Sequence, residues 1–266
     1  PEGSLEIVNA RLSDRNADYT DYLYERLQRK GYLKRDAQRL VNQDRNVFGS
    51  CMLALGDADG MVTGVTRNYD VCLNDVRMTL DALPDSDVIG MSMVINRGKT
   101  IFIADTSVNE LTDGEKLAGI AKEAAKAVKR LGFIPRVAFL SYSTFGNPMG
   151  ERAEKVREAV ALLDASGDCD FEYEGDISAD VALNPMHKVL YPFSRLTGEA
   201  NVLVMPAIHS ASISTNLLEG MSRATVIGPV LLGMSKSVQI SSLGATVNDI
   251  VNLATVAAFD IDGVQV

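Results

Sequence analysis

Side chains that commonly bind transition metals or assist nucleophiles are scarce in this chain. His187 and His209 are the only histidines, and neither has a cysteine, histidine or carboxylate at a spacing typical of metal ligands. No serine stands in the Gly-x-Ser-x-Gly context of a nucleophile elbow. We therefore expect neither a transition-metal site nor a Ser-His-Asp triad.

The glycine patterns that bind phosphate groups are incomplete. Residues 228–233 begin as a phosphate-binding loop does, but Met234 stands where the loop's lysine would be. No Gly-x-Gly-x-x-Gly follows an apolar run, so the fingerprint of a dinucleotide-binding turn is absent. We interpret residues 228–233 as a tight turn next to a buried strand.

Three polar segments could bind an anion or move a proton. Residues 141–147 leave an apolar run and enter a helix, so their hydroxyls and free backbone N–H groups could converge on an anion. Residues 174–180 hold three carboxylates, and residues 241–249 combine two serines with an aspartate. Each segment alone is equally compatible with helix capping or a solvated turn.

Composition and charge limit the function classes. With 266 residues, of which 46% are hydrophobic and 23% charged, the chain has the material for one large folded domain or two modest ones. A net charge of −9 disfavours nucleic acid as a partner. The uncharged stretch 200–218 contains too many polar residues for a membrane span. Cys51, Cys72 and Cys169 are scattered and odd in number, which predicts reduced, buried thiols in a cytoplasmic protein.

The hydrophobic pattern alternates between helices and short strands. Helices are predicted over residues 19–27, 34–43, 113–131 and 151–163, with Gly31 and Gly132 ending the first and third. Thr112, three residues before Glu115, is expected to cap the third helix. Strands are predicted at residues 51–55, 62–65, 88–95, 100–104, 137–140, 202–205 and 238–241, with a hairpin at 96–99. This alternation favours an α/β fold with a mixed sheet.

Taken together, the polar segments resemble motifs of the phosphate acetyltransferase (phosphotransacetylase) family. The family's run SYST-x-G matches residues 141–146, and its DGE-x-x-x-DAA resembles residues 174–182. Its remaining motifs G-x-ANV-x-x-FPD, GP-x-x-x-G, LSRG with a following DI, and DADG-x-V-x-G resemble residues 198–207, 228–233, 241–250 and 57–64. The resemblance runs from about residue 56 to the end of the chain.

The resemblance implies a two-lobed, three-layer α/β/α architecture with mixed sheets, as in phosphotransacetylase and isocitrate-dehydrogenase-like folds. Lobe one would combine residues 1–77 with 231–266, lobe two would be 78–230, and a ligand cleft would lie between them. Because residues 200–266 hold only six charged side chains, we expect a homodimer or higher oligomer, with the interface on lobe two. The chain begins at Pro1 without an initiator methionine or a leader, so we expect a domain of a longer protein.

Departures from the family pattern affect the chemistry. Family members move an acetyl group between coenzyme A and phosphate, and by resemblance the catalytic serine is Ser242 and the thiol-deprotonating aspartate is Asp249. The arginine that contacts the phosphoryl group is replaced by Leu243. Loss of one such contact costs on the order of 10²–10³ in rate. The Asp, Gly, Asn and Lys of the motif PDL-x-x-GN-x-x-YK are replaced by Ala207, Ala211, Ser212 and Asn216. We therefore expect Ser242 and Asp249 to be vestigial and this domain to have no catalytic activity of its own.

Residues 205–211, 224–233 and 238–252 resemble a subgroup of the family, the domains at the C-terminus of multimodular bacterial malic enzymes. This implies a domain that binds acetyl-CoA and controls oxidative decarboxylation of malate in an N-terminal module of the same chain. That module would use NADP or NAD and a divalent metal, whereas no metal or cofactor is expected in this domain. An active phosphate acetyltransferase and a non-binding dimerisation scaffold remain as alternatives. The expected ligand-binding residues are Tyr142, Ser143, Thr144, Gly146, Asn147, Asp176, Asp180, Pro206, His209, Ser210, Ser241, Ser242 and Asp249.

Overall fold

The structure is a computed structural model that describes residues 5–222 and 224–264, so Pro1 lies outside the described part. The chain divides into two compact units. Unit 1 consists of Pro1–Asp81 and Met234–Val266, and unit 2 of Ala82–Gly233. The ligand cleft and the dimer interface expected from the sequence stay predictions.

Helices and strands alternate along most of the chain. The helices are α1 (Asn16–Leu27), α2 (Lys34–Gln43), α3 (Arg45–Leu55), α4 (Tyr69–Arg77), α5 (Gly114–Arg130), α6 (Glu151–Ser166), α7 (Ala179–Ala182), α8 (His187–Leu190), α9 (Ile208–Ser222) and α10 (Val247–Val264). The strands are β1 (Gly60–Gly64), β2 (Ile89–Asn96), β3 (Lys99–Ala104), β4 (Arg136–Leu140), β5 (Glu172–Ile177), β6 (Val202–Val204), β7 (Thr225–Leu232) and β8 (Ser237–Ser241). None of the helices in the described part combines the length and apolar content that a membrane span requires.

Unit 2 is built on a six-stranded sheet with strand order β5-β4-β6-β3-β2-β7. Neighbouring strands among β3, β4, β5 and β6 are parallel, whereas β2 is antiparallel to both β3 and β7. Arg97 and Gly98 join β2 to β3, and both have positive φ, as a two-residue hairpin turn requires. The structure thus confirms the predicted mixed α/β fold and the predicted hairpin.

Successive residues of the central strands face two different cores. Phe102 and Val202 lie in a core formed with the apolar faces of α5 and α6. Their neighbours Ile103 and Leu203 lie in the opposite core, which includes Ala182 of α7 and Ala211 of α9. Strands buried on both faces explain why these segments are continuously apolar and form a layer between helices.

Unit 1 combines a helical core with two parallel strands. Tyr19 and Leu23 of α1 pack against Val41 of α2 and against Val47 and Cys51 of α3. Strands β1 and β8 pair in parallel, with Gly60 opposite Ser237 and Gly64 opposite Ser241. This pairing joins the first and the last segments of the chain that make up unit 1.

Three local predictions were wrong. Residues 228–232, interpreted as a tight turn, belong to strand β7, because Gly228 with a φ of +135° is accommodated where the pairing of β2 and β7 shifts register. Residues 51–55 are the last turns of α3 rather than a strand, because Asp44 caps the helix by accepting the N–H groups of Asn46 and Val47. The cap of α5 is Asp113, which accepts the N–H of Lys116 at 2.8 Å. Thr112 instead donates its hydroxyl to the carbonyl of Pro206 at 2.7 Å.

The three cysteines are free thiols, as expected. Cys51 and Cys72 are buried, but Cys169 is only partly so. Burial raises the pKa of the Cys51 thiol to about 12 and also raises the pKa of Cys169. These thiols are therefore protonated at neutral pH.

Gly64 ends β1 where the backbone passes very close to β8. Its φ is +114°, and a Cβ added there would lie 2.2 Å from the carbonyl oxygen of Ser241. Gly31 also has a positive φ, of +89°, but a Cβ there would have no neighbour within 4 Å. Substitution at Gly31 would therefore cause backbone strain alone, whereas substitution at Gly64 would cause backbone strain and a steric clash.

We expect Gly64→Ala to lower the free energy of unfolding by about 3 kcal/mol or more, because strain and a backbone clash add together. Gly31→Ala is the matched control and should lose about 1 kcal/mol from strain alone. Urea unfolding followed by circular dichroism measures both. Equal losses in the two variants would contradict the close approach of β1 and β8.

Candidate functional site

Most of the expected ligand-binding residues of unit 2 lie at one edge of its sheet. Residues 141–147 follow β4, residues 178–180 follow β5, and residues 205–210 follow β6. These strands are parallel, so their carboxyl ends meet at the same edge, which is where α/β sheets bind ligands. Ser241, Ser242 and Asp249 belong to unit 1, at the carboxyl end of β8.

A buried carboxylate organises the loop after β4. Asp176 is fully buried and accepts the hydroxyl of Ser143, the N–H of Gly146 at 3.1 Å and one N–H of the Arg157 guanidinium at 3.2 Å. Its backbone carbonyl also accepts the N–H of Phe145 at 2.7 Å. Asp176 therefore holds this loop against β5, rather than presenting its carboxylate to solvent.

Six of the seven backbone N–H groups of residues 141–147 donate hydrogen bonds within the described part of the chain, the exception being that of Tyr142. The N–H of Ser143 bonds to the hydroxyl of Ser141 at 3.2 Å. Thr144 and Asn147 exchange backbone hydrogen bonds of 3.0 and 3.2 Å. The loop therefore offers mainly side chains to a ligand, and anion binding by its amides stays a prediction.

Hydroxyls and one exposed carboxylate line the same edge. Thr144 donates to the hydroxyl of Ser178 at 3.0 Å and accepts the N–H of Ser178 at 3.1 Å. A hydrogen bond from the Ser178 hydroxyl lowers the pKa of the exposed Asp180 carboxyl. His209 is exposed on the first turn of α9, and Ser210 donates its hydroxyl to the carbonyl of Ala207 at 2.7 Å.

An aromatic cluster adjoins the loop and supplies apolar surface. The ring of Phe145 contacts those of Tyr191 and Phe193, with centroids 5.1 and 4.9 Å apart. Phe193 is 65% exposed, and Tyr142 in the loop itself is 64% exposed. Sequence reasoning missed this cluster because Tyr191 and Phe193 lie in an irregular segment with no periodic pattern.

In unit 1 the expected site residues follow β8. Ser241 is buried and donates its hydroxyl to the carbonyl of Thr63 at 3.1 Å, so it serves the strand pair. Ser242 is exposed, and Leu243 beside it is 54% exposed. The carboxylate of Asp249 accepts the N–H and the hydroxyl of Thr246 at 2.7 and 2.8 Å, which caps α10.

Two residues with important contacts were missed from the sequence. Thr246 stands three residues before Asp249, the spacing of a capping box, so the pattern itself could have revealed the pair. Arg157 is one of several charged residues on α6, and its spacing gives no sign that it pairs with Asp176. In the described ranges no three His, Cys, Asp or Glu side chains are grouped so that they could hold a metal ion.

Comparison with families of known proteins gives the assignment. The family model described as Phosphate acetyl/butaryl transferase matches residues 1–258. The chain belongs to this family. The fold agrees: a EutD phosphotransacetylase from Staphylococcus aureus superposes with a TM-score of 0.86 at 28% identity, covering 97% of this chain and 79% of that one.

Two kinds of relative match the chain. An NADP-dependent malic enzyme of Rhizobium meliloti is 59% identical over 256 residues, and one of Escherichia coli is 34% identical over 260. Each match covers 96% of this chain but 34% of the relative, so the chain spans about a third of these malic enzymes. A phosphate acetyltransferase of Staphylococcus aureus is 30% identical, with 96% of this chain and 79% of that protein covered.

We expect Asp176→Asn to lower the free energy of unfolding by about 3 kcal/mol, because Arg157 loses its buried anionic partner and the Ser143 hydroxyl meets a mismatched amide. Asp180→Asn changes an exposed carboxyl of the same segment and should lose less than about 1 kcal/mol. Urea unfolding measures both, and hydrogen exchange should show faster exchange of the Phe145 and Gly146 amides in Asp176→Asn only. Similar losses in the two variants would contradict the organising role of Asp176.

Proposed function

We propose that this chain is a regulatory domain that binds acetyl-CoA but does not transfer its acetyl group. In the proposed protein, binding controls the oxidative decarboxylation of malate in a separate N-terminal module that uses NADP or NAD and a divalent metal. The domain also contributes to assembly of a homodimer or higher oligomer. The 59% identity to an NADP-dependent malic enzyme, over a third of that protein's length, supports the choice of parent.

The observation that carries the loss of transfer is Leu243. Acetyl phosphate is a compact anion, and a guanidinium that donates two hydrogen bonds is its natural partner. Where the family resemblance places that arginine, this chain presents an exposed leucine beside Ser242. An isobutyl group can neither neutralise the charge of phosphate nor donate a hydrogen bond to it. Transfer to phosphate therefore loses the contact that would stabilise its transition state.

A structural role accounts for the retention of Asp249 without chemistry. The Asp249 carboxylate and Thr246 cap the amino end of α10, and caps of this kind typically contribute about 1 kcal/mol to stability. The residue is therefore useful to the fold even where no thiol is deprotonated. Ser242, which is exposed and outside any element, has no comparable structural role.

Retained ligand binding is supported by the surface at the carboxyl edge of unit 2. Acetyl-CoA carries a long, largely neutral pantetheine arm, which suits apolar and hydroxyl-bearing surface. The exposed rings of Tyr142 and Phe193 and the hydroxyls of Thr144 and Ser178 provide such a surface. Arg157 lies near this surface, but its guanidinium is paired with the carboxylate of Asp176 and is not free to neutralise phosphate. This pairing favours a role in binding acetyl-CoA over transfer of its acetyl group to phosphate.

The oligomer proposal is supported by helix α9. Ile213, Leu217 and Met221 recur every four residues and are all exposed, which forms an apolar stripe. Glu219 is the one charged residue of this helix. Depletion of charge on an exposed apolar face is typical of the core of a subunit interface.

Calorimetric titration of acetyl-CoA in phosphate buffer tests the proposal. We expect saturable heat that returns to baseline after each injection, and about tenfold weaker binding for Phe193→Ala because stacking and apolar contact are lost. Ile134→Ala, an equally exposed apolar residue at the opposite edge of the sheet, is the control and should bind normally. Sustained heat would instead indicate an active transferase, and an absence of heat would indicate a scaffold without ligand.

A further inference from the structure

We propose that a cavity at the amino edge of the unit 2 sheet binds a small organic monocarboxylate, with Arg136 as its anchor and an apolar wall for its hydrocarbon part. The cavity has a volume of about 350 Å³ and is bounded by the first residues of β3 and β4 and by the residues before β6. This volume is at the lower end of the range for small-molecule sites.

The Arg136 guanidinium is held in place by the backbone around it. Its Nε donates to the carbonyl of Glu199 at 2.6 Å. The backbone N–H of Arg136 donates to the side chain of Asn201 at 2.7 Å, and Asn201 in turn donates to the carbonyl of Ile134 at 2.9 Å. A guanidinium fixed in this way loses little entropy when it binds a ligand.

Arg136 has no carboxylate partner in the part of the chain that the structure describes. Several other arginines and lysines of unit 2 form a direct ion pair, as Arg157 does with Asp176 and Lys122 with Asp168. Arg136 is partly buried and lines the cavity, yet only its Nε is engaged, and by a neutral carbonyl. A half-buried charge without an ion-pair partner in a cavity attracts an anion.

The charges at the rim indicate that the anion carries a single charge. Lys99 also lines the cavity, but its ammonium is 2.6 Å from the carboxylate of Glu199, and these two charges offset each other. Arg136 therefore supplies a net charge of +1. A doubly charged phosphate monoester would lack a second free cation, whereas a carboxylate fits the planar guanidinium with two parallel hydrogen bonds.

The rest of the wall determines what the carboxylate must be attached to. Ile101, Phe133 and Leu183 line the cavity with aliphatic and aromatic carbon. Phe133 is held at a defined angle by an edge-to-face contact with the buried Phe102, with centroids 5.3 Å apart. The combination of one fixed guanidinium and apolar carbon selects an acid with a short hydrocarbon or aromatic body over a fully hydrated anion.

This cavity is separate from the carboxyl edge described above. Arg136 begins β4 and Leu140 ends it, so the two edges are about 13 Å apart along the strand. The cavity therefore shares no lining residue with the carboxyl edge, and its occupation can be measured without acetyl-CoA.

Fluorine NMR with 4-fluorobenzoate as the probe tests the proposal. We expect a saturable shift or broadening of the probe signal with the wild-type chain, and at least tenfold weaker binding for Arg136→Gln. Arg136→Lys should retain part of the affinity because the charge remains, and Arg152→Gln, an exposed arginine on α6, should bind like wild type. Inorganic phosphate should not displace the probe, and neutral 4-fluorobenzyl alcohol should not bind.

A second variant keeps the test decisive if Arg136→Gln fails to fold. Leu183→Trp leaves Arg136 intact and fills the cavity, so it should also abolish binding, with circular dichroism verifying the fold. The proposal is overturned if 4-fluorobenzoate shows no saturable binding up to about 10 mM probe, a dissociation constant tenfold weaker than millimolar. It is also overturned if the alcohol binds equally well, if phosphate displaces the probe, or if a folded Leu183→Trp variant binds normally.

Discussion

Asp176 carries a carboxylate in a position without access to water, and the loops around it are arranged to compensate for that charge. One oxygen atom receives the Ser143 hydroxyl and the Arg157 guanidinium, and the other receives the N–H of Gly146. Breaking such a set leaves an uncompensated buried charge, so the loop after β4, the end of β5 and helix α6 are tied to one another. The aromatic cluster of Phe145, Tyr191 and Phe193 depends on the same loop, since Phe145 is part of it.

Under the proposed function, this dependence explains how a member of a transferase family would keep its scaffold without the transfer chemistry. The residues that resemble the family's motifs in unit 2 are largely committed to the fold, as Asp176 and Ser143 show. In unit 1, Asp249 and Thr246 cap α10, and Ser241 bonds to the backbone of β1. In the proposed function, Leu243 in place of the family's arginine removes a contact that only the reaction needs. These contacts give the motif residues a structural contribution, so their presence alone does not indicate catalysis.

The sequence predicted well those elements whose signals are local. Helix α2 spans the predicted residues 34–43, and the β2–β3 hairpin has its turn at Arg97 and Gly98, because periodicity and turn chemistry act over a few residues. Residues 51–55 were wrongly predicted as a strand, since an apolar run of five does not distinguish a strand from the buried face of a helix, and Asp44 decides it from outside the run. The partners of Asp176 and the frame around Arg136 could not be predicted, because they join strands and loops that are distant in sequence.

The central claim, that this family member lacks acetyl transfer, is tested most directly by phosphorus NMR of acetyl-CoA and inorganic phosphate incubated with the chain. The account predicts that no acetyl phosphate signal develops above that of a mixture without protein. Accumulation of acetyl phosphate that Ser242→Ala abolishes would contradict it, and would show that transfer proceeds without an arginine at the position of Leu243.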